Sequence, residues 1–268
     1  MQNSLFISHG APTLIIDDSP AHHFLRQLGD QLPRPRLIVM ISAHNIARQT
    51  TIGTAAKWRE WHDFGGFPDE LYQMQYRPDG EPHFAEALAK QLAAMGEDIV
   101  LSDNTALDHG AWVPLKLIYP EADIPVVTVS LSQHMDNAAH LALGKKLGEL
   151  LPDDVLLIGS GSITHNLRDA FTRMQYPESH SESDRYADQF IAAVHLAGNT
   201  YQINDWEHWN HAPNALPFAR QAHPSSEHFL PFLVARAAAG DDARMTTLHH
   251  SIELGVLGMD VIGFTAKA

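Results

Sequence analysis

Two short apolar runs near the amino terminus each end in a serine and then, within two residues, a histidine: LFISHGAP at 5–12 and IVMISAHN at 38–45. Aliphatic, β-branched runs of this length, closed off by Gly, Pro or polar residues, read as strands buried on both faces. Strands of that kind need helices to cover them, and an open sheet so covered gathers its ligands beyond the carboxyl ends of its strands. Both histidines, His9 and His44, stand at that edge.

The rest of the chain repeats the alternation. Strand patterns fall at 4–7, 36–42, 125–130, 155–160 and 260–265. Between them, residues 21–28, 82–95, 136–151 and 183–196 carry apolar side chains at three- and four-residue spacing, and the second of these stops at Gly96. The predicted architecture is a single α/β domain over 1–268, with a central, mostly parallel sheet flanked by helices and a metal site at the carboxyl ends of the strands. The Trp-, Gly- and Pro-rich stretches 50–78 and 201–224 read as long loops over that site.

Charge and cysteine content narrow the chemistry. With 32 acidic against 18 basic residues the formal charge is −14, which repels phosphate backbones and anionic membranes, so neither nucleic acid nor a membrane is an expected partner. The absence of cysteine excludes disulfides and thiolate sites, leaving nitrogen and oxygen to bind any metal. No basic leader precedes the first apolar segment and no apolar run spans a bilayer, so the expectation is a soluble, cytoplasmic protein. Self-association is left open.

Histidine is as common as Lys and Arg together, 18 residues. Most, such as His22, His23, His249 and His250, read as surface or helix-face residues. Position singles out others. The strand at 155–160 runs into GSGSITHN, placing His165 just past a third strand end; His109 lies in LDHGAW ahead of a helical pattern. His228, in SSEHFLPFL, sits near a helix start for which Ser225 or Ser226 would be the N-cap. Imidazoles delivered to one sheet edge by three strands are the donor set a divalent metal uses.

These residues also resemble a family. SHGAP, SAHN, HDFGGFP at 62–68, LDHGAW, GSGSITHNLR and EHFLP follow the order and spacing of the class III extradiol ring-cleavage dioxygenases, in particular the branch called 4,5-DOPA dioxygenase extradiol, related to the LigB-type protocatechuate enzymes. The resemblance covers essentially the whole chain. It implies one divalent metal per chain, Fe(II) for ring cleavage, with His9, His44 and His228 as ligands. It implies His165 as the acid/base histidine and a further ligand when no substrate is bound, and His109 as a residue that hydrogen-bonds dioxygen or the substrate. The implied partners are a DOPA-like catechol and dioxygen. In LigB-type enzymes the third ligand is a carboxylate, whereas here His228 stands there with Glu227 beside it; an all-imidazole site would suit Zn(II) as well.

The same acid/base and metal chemistry follows from the residues themselves, since an imidazole titrates nearest neutral pH and can take or return a proton. His62, Phe64 and Phe67 of HDFGGFP, with Trp112, are candidate walls of a pocket for a flat ring. GSGS lacks the third glycine and the acidic residue of a dinucleotide site, and the chain has no G-x-S-x-G elbow, which sets aside nucleotide binding and serine hydrolysis. Two other readings use the same histidines: a zinc hydrolase, and a non-catalytic metal-binding member of the fold.

Overall fold

The computed structural model describes residues 4–176 and 183–266. Its centre is a six-stranded sheet of β1 (Ser4–Ser8), β2 (Leu37–Ser42), β3 (Val126–Thr128), β4 (Val155–Gly161), β5 (Arg244–His249) and β6 (Val261–Thr265), in the spatial order β5-β6-β1-β4-β2-β3. Four neighbouring strands, β1, β4, β2 and β3, are parallel; β6 runs antiparallel to β1 and to β5. The sheet is therefore mixed but mostly parallel, and β4 lies between the two strands that carry His9 and His44.

Alternation along the strands explains why both faces are covered. Phe6, Val39 and Leu157 point into one core with the helices Asn137–Leu150, Arg185–Thr200 and Leu230–Ala238, while Leu5, Ile7, Ile38, Met40 and Ile158 point into the other with Pro20–Gln31 and His109–Ile118. In chain order the helices are α1 (Pro20–Gln31), α2 (Pro82–Ala94), α3 (His109–Ile118), α4 (Asn137–Leu150), α5 (Leu167–Met174), α6 (Arg185–Thr200), α7 (Ala219–Ala222) and α8 (Leu230–Ala238). Several begin where the sequence provides a cap: the side chains of Ser19, Asp108 and Asp136 accept from the amides of His22, Ala111 and Ala139.

Three expectations need correction. The helix after His228 starts only at Leu230, with Phe229 at its N-cap, no capping side chain and Pro231 in its first turn; Ser225 donates to Glu227 instead. Residues 50–78 are not one loop, because Thr50–Gly53 pairs with Ile99–Ser102 and Arg59–Glu60 pairs with Ala106–Leu107. Residues 201–224 do not form a loose cover: the fully buried indoles of Trp206 and Trp209 anchor them in the core beside Phe229 and Phe232. His22, at 9% exposure, lies on the buried side of α1 and hydrogen-bonds the Leu14 carbonyl. No helix among the described residues is long and apolar enough to cross a membrane.

A buried carboxylate ties β6 to α6. Asp260, with no exposed surface, accepts from His195 Nε2 (2.5 Å) and His250 Nδ1 (2.8 Å). Burial alone would raise its pKa, but these two hydrogen bonds and the charges behind them hold it below the usual value, while the bond to Asp260 raises His250. A depressed carboxyl stabilises the fold above its unfolded pKa and loses that contribution as pH falls through the folded one; a raised histidine contributes below its unfolded pKa and loses it as pH rises through the folded one. Asp260→Asn should therefore cost about 1–3 kcal/mol near pH 6 in urea unfolding, the scale of a buried hydrogen bond to a charged group. The difference from the parent should shrink in acid and diminish in part at alkaline pH.

Candidate metal centre

The carboxyl ends of β1, β4 and β2 are stitched together by the backbone. The His9 amide donates to the Gly161 carbonyl (3.0 Å) and the Ala43 amide to that of Ser160 (2.9 Å), so the residues leaving β1 and β2 are held against β4. His228 arrives from outside the sheet, and its carbonyl accepts from the Ser162 amide at 2.9 Å. A Cβ on Gly161 would collide with that carbonyl, so a residue without one belongs there. His9 and His228 are buried, at 2% and 5% exposure, and His44 is half-buried.

The rings of His9, His44 and His228 turn toward one point. Nε2 of His44 lies 3.1 Å from Nε2 of His9 and 3.3 Å from Nε2 of His228. Two nitrogens each about 2.0–2.1 Å from a common ion, at angles between a right angle and tetrahedral, stand about 2.9–3.4 Å apart. Protonation fits the same geometry. Ser160 Oγ lies 2.5 Å from the Gly110 carbonyl, which can only accept, so the hydroxyl donates there and accepts from Nδ1–H of His9 at 2.9 Å. The Glu227 carboxylate accepts from Nδ1–H of His228 at 3.2 Å. Each bond leaves a bare Nε2. A proton on His44 Nε2 could satisfy only one of these two lone pairs, whereas a cation satisfies all three.

Burial and mutual repulsion keep His9 and His44 neutral. Burial, then the neighbouring imidazoles of His44, His228, His109 and His165, holds His9 well below the usual histidine value. Burial, followed by His109 and His228, brings His44 down to about 3. The hydrogen bond to His228 is the main reason that the Glu227 carboxyl lies at about 2, so a fixed negative charge sits directly behind that ring.

His165 is placed differently. Its ring stacks on His228 at 3.4 Å between centroids and 9° between planes, and it groups with His228 and Glu227 rather than with His9 and His44. Its amide donates to the Ala222 carbonyl (2.8 Å), and the segment before it is pinned by Thr164 Oγ1 donating to Val256 O (2.7 Å). Burial, then the charges of His228 and His223, lowers His165 to about 3, so it rests as a neutral base rather than near its ordinary value.

His109 opens α3, its centroid 4.1 Å from that of His44 and 5.5 Å from that of His9. The approach depends on Gly110, where a Cβ would stand 2.6 Å from Ser42 Oγ and 3.0 Å from both the His44 and His9 rings. Asp63 Oδ1 accepts from the His109 amide (2.9 Å) and from its Nδ1 (3.0 Å). Burial raises the Asp63 carboxyl, but its hydrogen bonds to the side chain and the amide of His109 work against burial, and the carboxyl is held low.

The candidate pocket residues form one aromatic cluster beside His109. Phe64 lies 5.9 Å from His109, 5.7 Å from His62 and 5.3 Å from Phe67, and His62 lies 5.7 Å from Trp112. Trp112 is fully buried and donates to the Trp61 carbonyl, so it is the floor of the cluster rather than its surface. Tyr72, 5.3 Å from Phe64, joins the group without a signal in its own stretch of sequence. Asp63, Ser160 and Gly110 were also missed as partners, although all three fall inside the motifs quoted above.

A mixed α/β sheet with imidazoles converging beyond its parallel strands defines a candidate metal-binding site, and comparison with known proteins identifies the family. Residues 3–258 match the family model described as the catalytic LigB subunit of aromatic ring-opening dioxygenase. The chain is 36% identical over 272 residues to 4,5-DOPA dioxygenase extradiol of Beta vulgaris, covering 99% of this chain and 97% of that one. It is 34% identical to the protein of the same name from Escherichia coli K12, over 96% and 92% of the two chains. A crystal structure of an uncharacterised Escherichia coli K12 protein superposes with a TM-score of 0.76 at 27% identity, covering 98% and 99%. This chain belongs to the LigB family of class III extradiol dioxygenases, oxidoreductases that open aromatic rings.

Proposed function

We propose that this protein opens the ring of a DOPA-like catechol beside its diol, with dioxygen as co-substrate and one Fe(II) ion held by His9, His44 and His228. The observation that carries the reading is the meeting of three Nε2 atoms at ligand spacing, with Nδ1 of His9 and of His228 engaged by Ser160 and Glu227. The names of the relatives supply DOPA as the catechol to test first. Fe(II) bound there would supply the one-electron chemistry that lets a catechol react with dioxygen, which Zn(II) cannot.

The chain's own residues do the rest. His9, His44 and His228 would hold the ion, and bound there it would supply a site for the catechol oxygens. Phe64, Phe67 and His62, above the floor made by Trp112, hold the flat ring and keep bulk water from it. His165 takes a proton from a catechol hydroxyl at its unprotonated nitrogen, and the same imidazole returns it later in the reaction. Glu227 keeps His228 oriented and restores one bond further out the negative charge that a carboxylate ligand would have brought, as outer-shell carboxylates do.

Anaerobic reconstitution with Fe(II), followed by oxygen uptake on a panel of catechols, tests this directly. The ferrous protein should consume oxygen and form a yellow ring-opened semialdehyde, DOPA being among its substrates; the zinc protein should do neither. Equal ring opening with the two metals, or none with ferrous protein on any catechol, would refute the proposal. Hydrolysis by zinc protein without oxygen uptake would favour a hydrolase instead.

A further inference from the structure

We propose that Asp63 is a positioning residue that locks His109 in its Nδ1–H tautomer, so that the nitrogen His109 offers to the site accepts a hydrogen bond and does not donate one. The inference rests on the ring-opening reading for what occupies the site, but its geometry stands on its own. One carboxylate oxygen of Asp63 takes both the amide N–H of His109, at 2.9 Å, and the ring Nδ1, at 3.0 Å. The two side chains are only 10% exposed, so water does not compete well for either group. A carboxylate has no proton to give, so an imidazole with a single ring proton carries it on Nδ1 and leaves Nε2 bare. That nitrogen has no hydrogen-bond partner among the described residues.

The polarity has a consequence for recognition. A His109 ring carrying one proton, held on Nδ1, can receive a hydrogen bond from a catechol hydroxyl, but it cannot donate one to dioxygen or to an ether oxygen. Of the two roles the family resemblance allows, contact with dioxygen or with substrate, the tautomer favours substrate and specifically a protonated hydroxyl. A free diol is then preferred over its O-methylated form by more than size. The same control by a carboxylate on the far ring nitrogen fixes metal-bound histidines in many sites; here it would fix a histidine outside the ligand set.

The test uses zinc-loaded protein, which does not turn over. With ¹⁵N-labelled histidine, long-range ¹H–¹⁵N spectra should show His109 protonated at Nδ1 and bare at Nε2, and Asp63→Ala should lose that preference. The dissociation constant for catechol should rise about tenfold in Asp63→Ala, one hydrogen bond's worth. It should rise similarly in His109→Ala, and no further in the double variant, since Asp63 acts through His109. Asp63→Asn keeps an acceptor oxygen for both N–H groups and should stay within about threefold of the parent. A native Nε2–H tautomer, additive losses in the double variant, or an unchanged affinity in His109→Ala would overturn the proposal. So would a second equivalent of zinc that Asp63→Ala releases, because His44, Asp63 and His109 also lie close enough to hold an ion. None of these readouts involves oxygen, so ring cleavage could fail with the tautomer intact, or succeed with it wrong.

Discussion

His9→Ala and His44→Ala proteins should each bind divalent metal at least 100-fold more weakly than the parent and emerge from purification with far less than one equivalent by elemental analysis. Losing an outer-shell partner of a metal ligand commonly costs about 10–100-fold in affinity, and deleting the ligand itself removes more than its support. The chain has no cysteine, and the nearest other donors, His109 with Asp63 and His165 with Glu227, group with His44 or with His228 alone, so none of them completes the three-imidazole set in place of a lost ligand. The substitutions should spare the fold, since both side chains lie past the ends of β1 and β2 and neither belongs to the two apolar cores. Circular dichroism of the metal-free variants should match that of the metal-free parent. His23→Ala, at an exposed position on α1, should keep its metal. Full metal occupancy in both site variants would mean that the strand-end histidines are not ligands.

The strands that build this edge are legible in the sequence because they are buried on both faces. β1, β2, β4 and β6 read as nearly continuous apolar runs, and each begins and ends within about a residue of its pattern. β5 escapes the same reading: Arg244–His249 is an edge strand with exposed Arg244, Thr246 and Thr247, so neither continuity nor clean alternation marks it. The start of α8 was misplaced for a different reason. Ser225 and Ser226 look like caps, but the chain spends the next residues turning His228 toward the site, and Ser226 contributes only its carbonyl, to the amides of Phe229 and Leu230.

The site divides along similar lines. Histidines at strand ends announce themselves, because a polar residue directly after a buried strand has to face the ligand edge. Their partners do not. Ser160 meets His9 across 151 positions of sequence and Asp63 meets His109 across 46, and a local pattern has no means to pair residues at such separations. Glu227 is adjacent to its histidine in the sequence, yet only its hydrogen bond to Nδ1 separates an orienting carboxylate from a competing ligand. The resting state of His165 was hidden as well: the residue type sets an ordinary value near neutrality, while burial and two neighbouring imidazoles, properties of the fold, move it to about 3.

That shift sharpens what replacing His165 should do. His165→Gln should retain most of the metal, because His9, His44 and His228 still meet at one point and His165 lies outside it, against the face of His228. Turnover should nevertheless fall by about two or more orders of magnitude, the usual contribution of a positioned general acid/base. Glutamine preserves hydrogen bonding and approximate size but cannot carry a proton near neutral pH, so metal content and rate should part company. A group that rests neutral can act first only as a base, which means the loss should be largest in steps that require a protonated catechol to ionise. A catechol bearing a strongly electron-withdrawing group, already partly ionised in solution, should recover some of the lost rate in the variant. Proportional loss of metal and activity would instead make His165 a ligand first, and the proton would have to be handled elsewhere, with the bare nitrogen of His109 the nearest alternative.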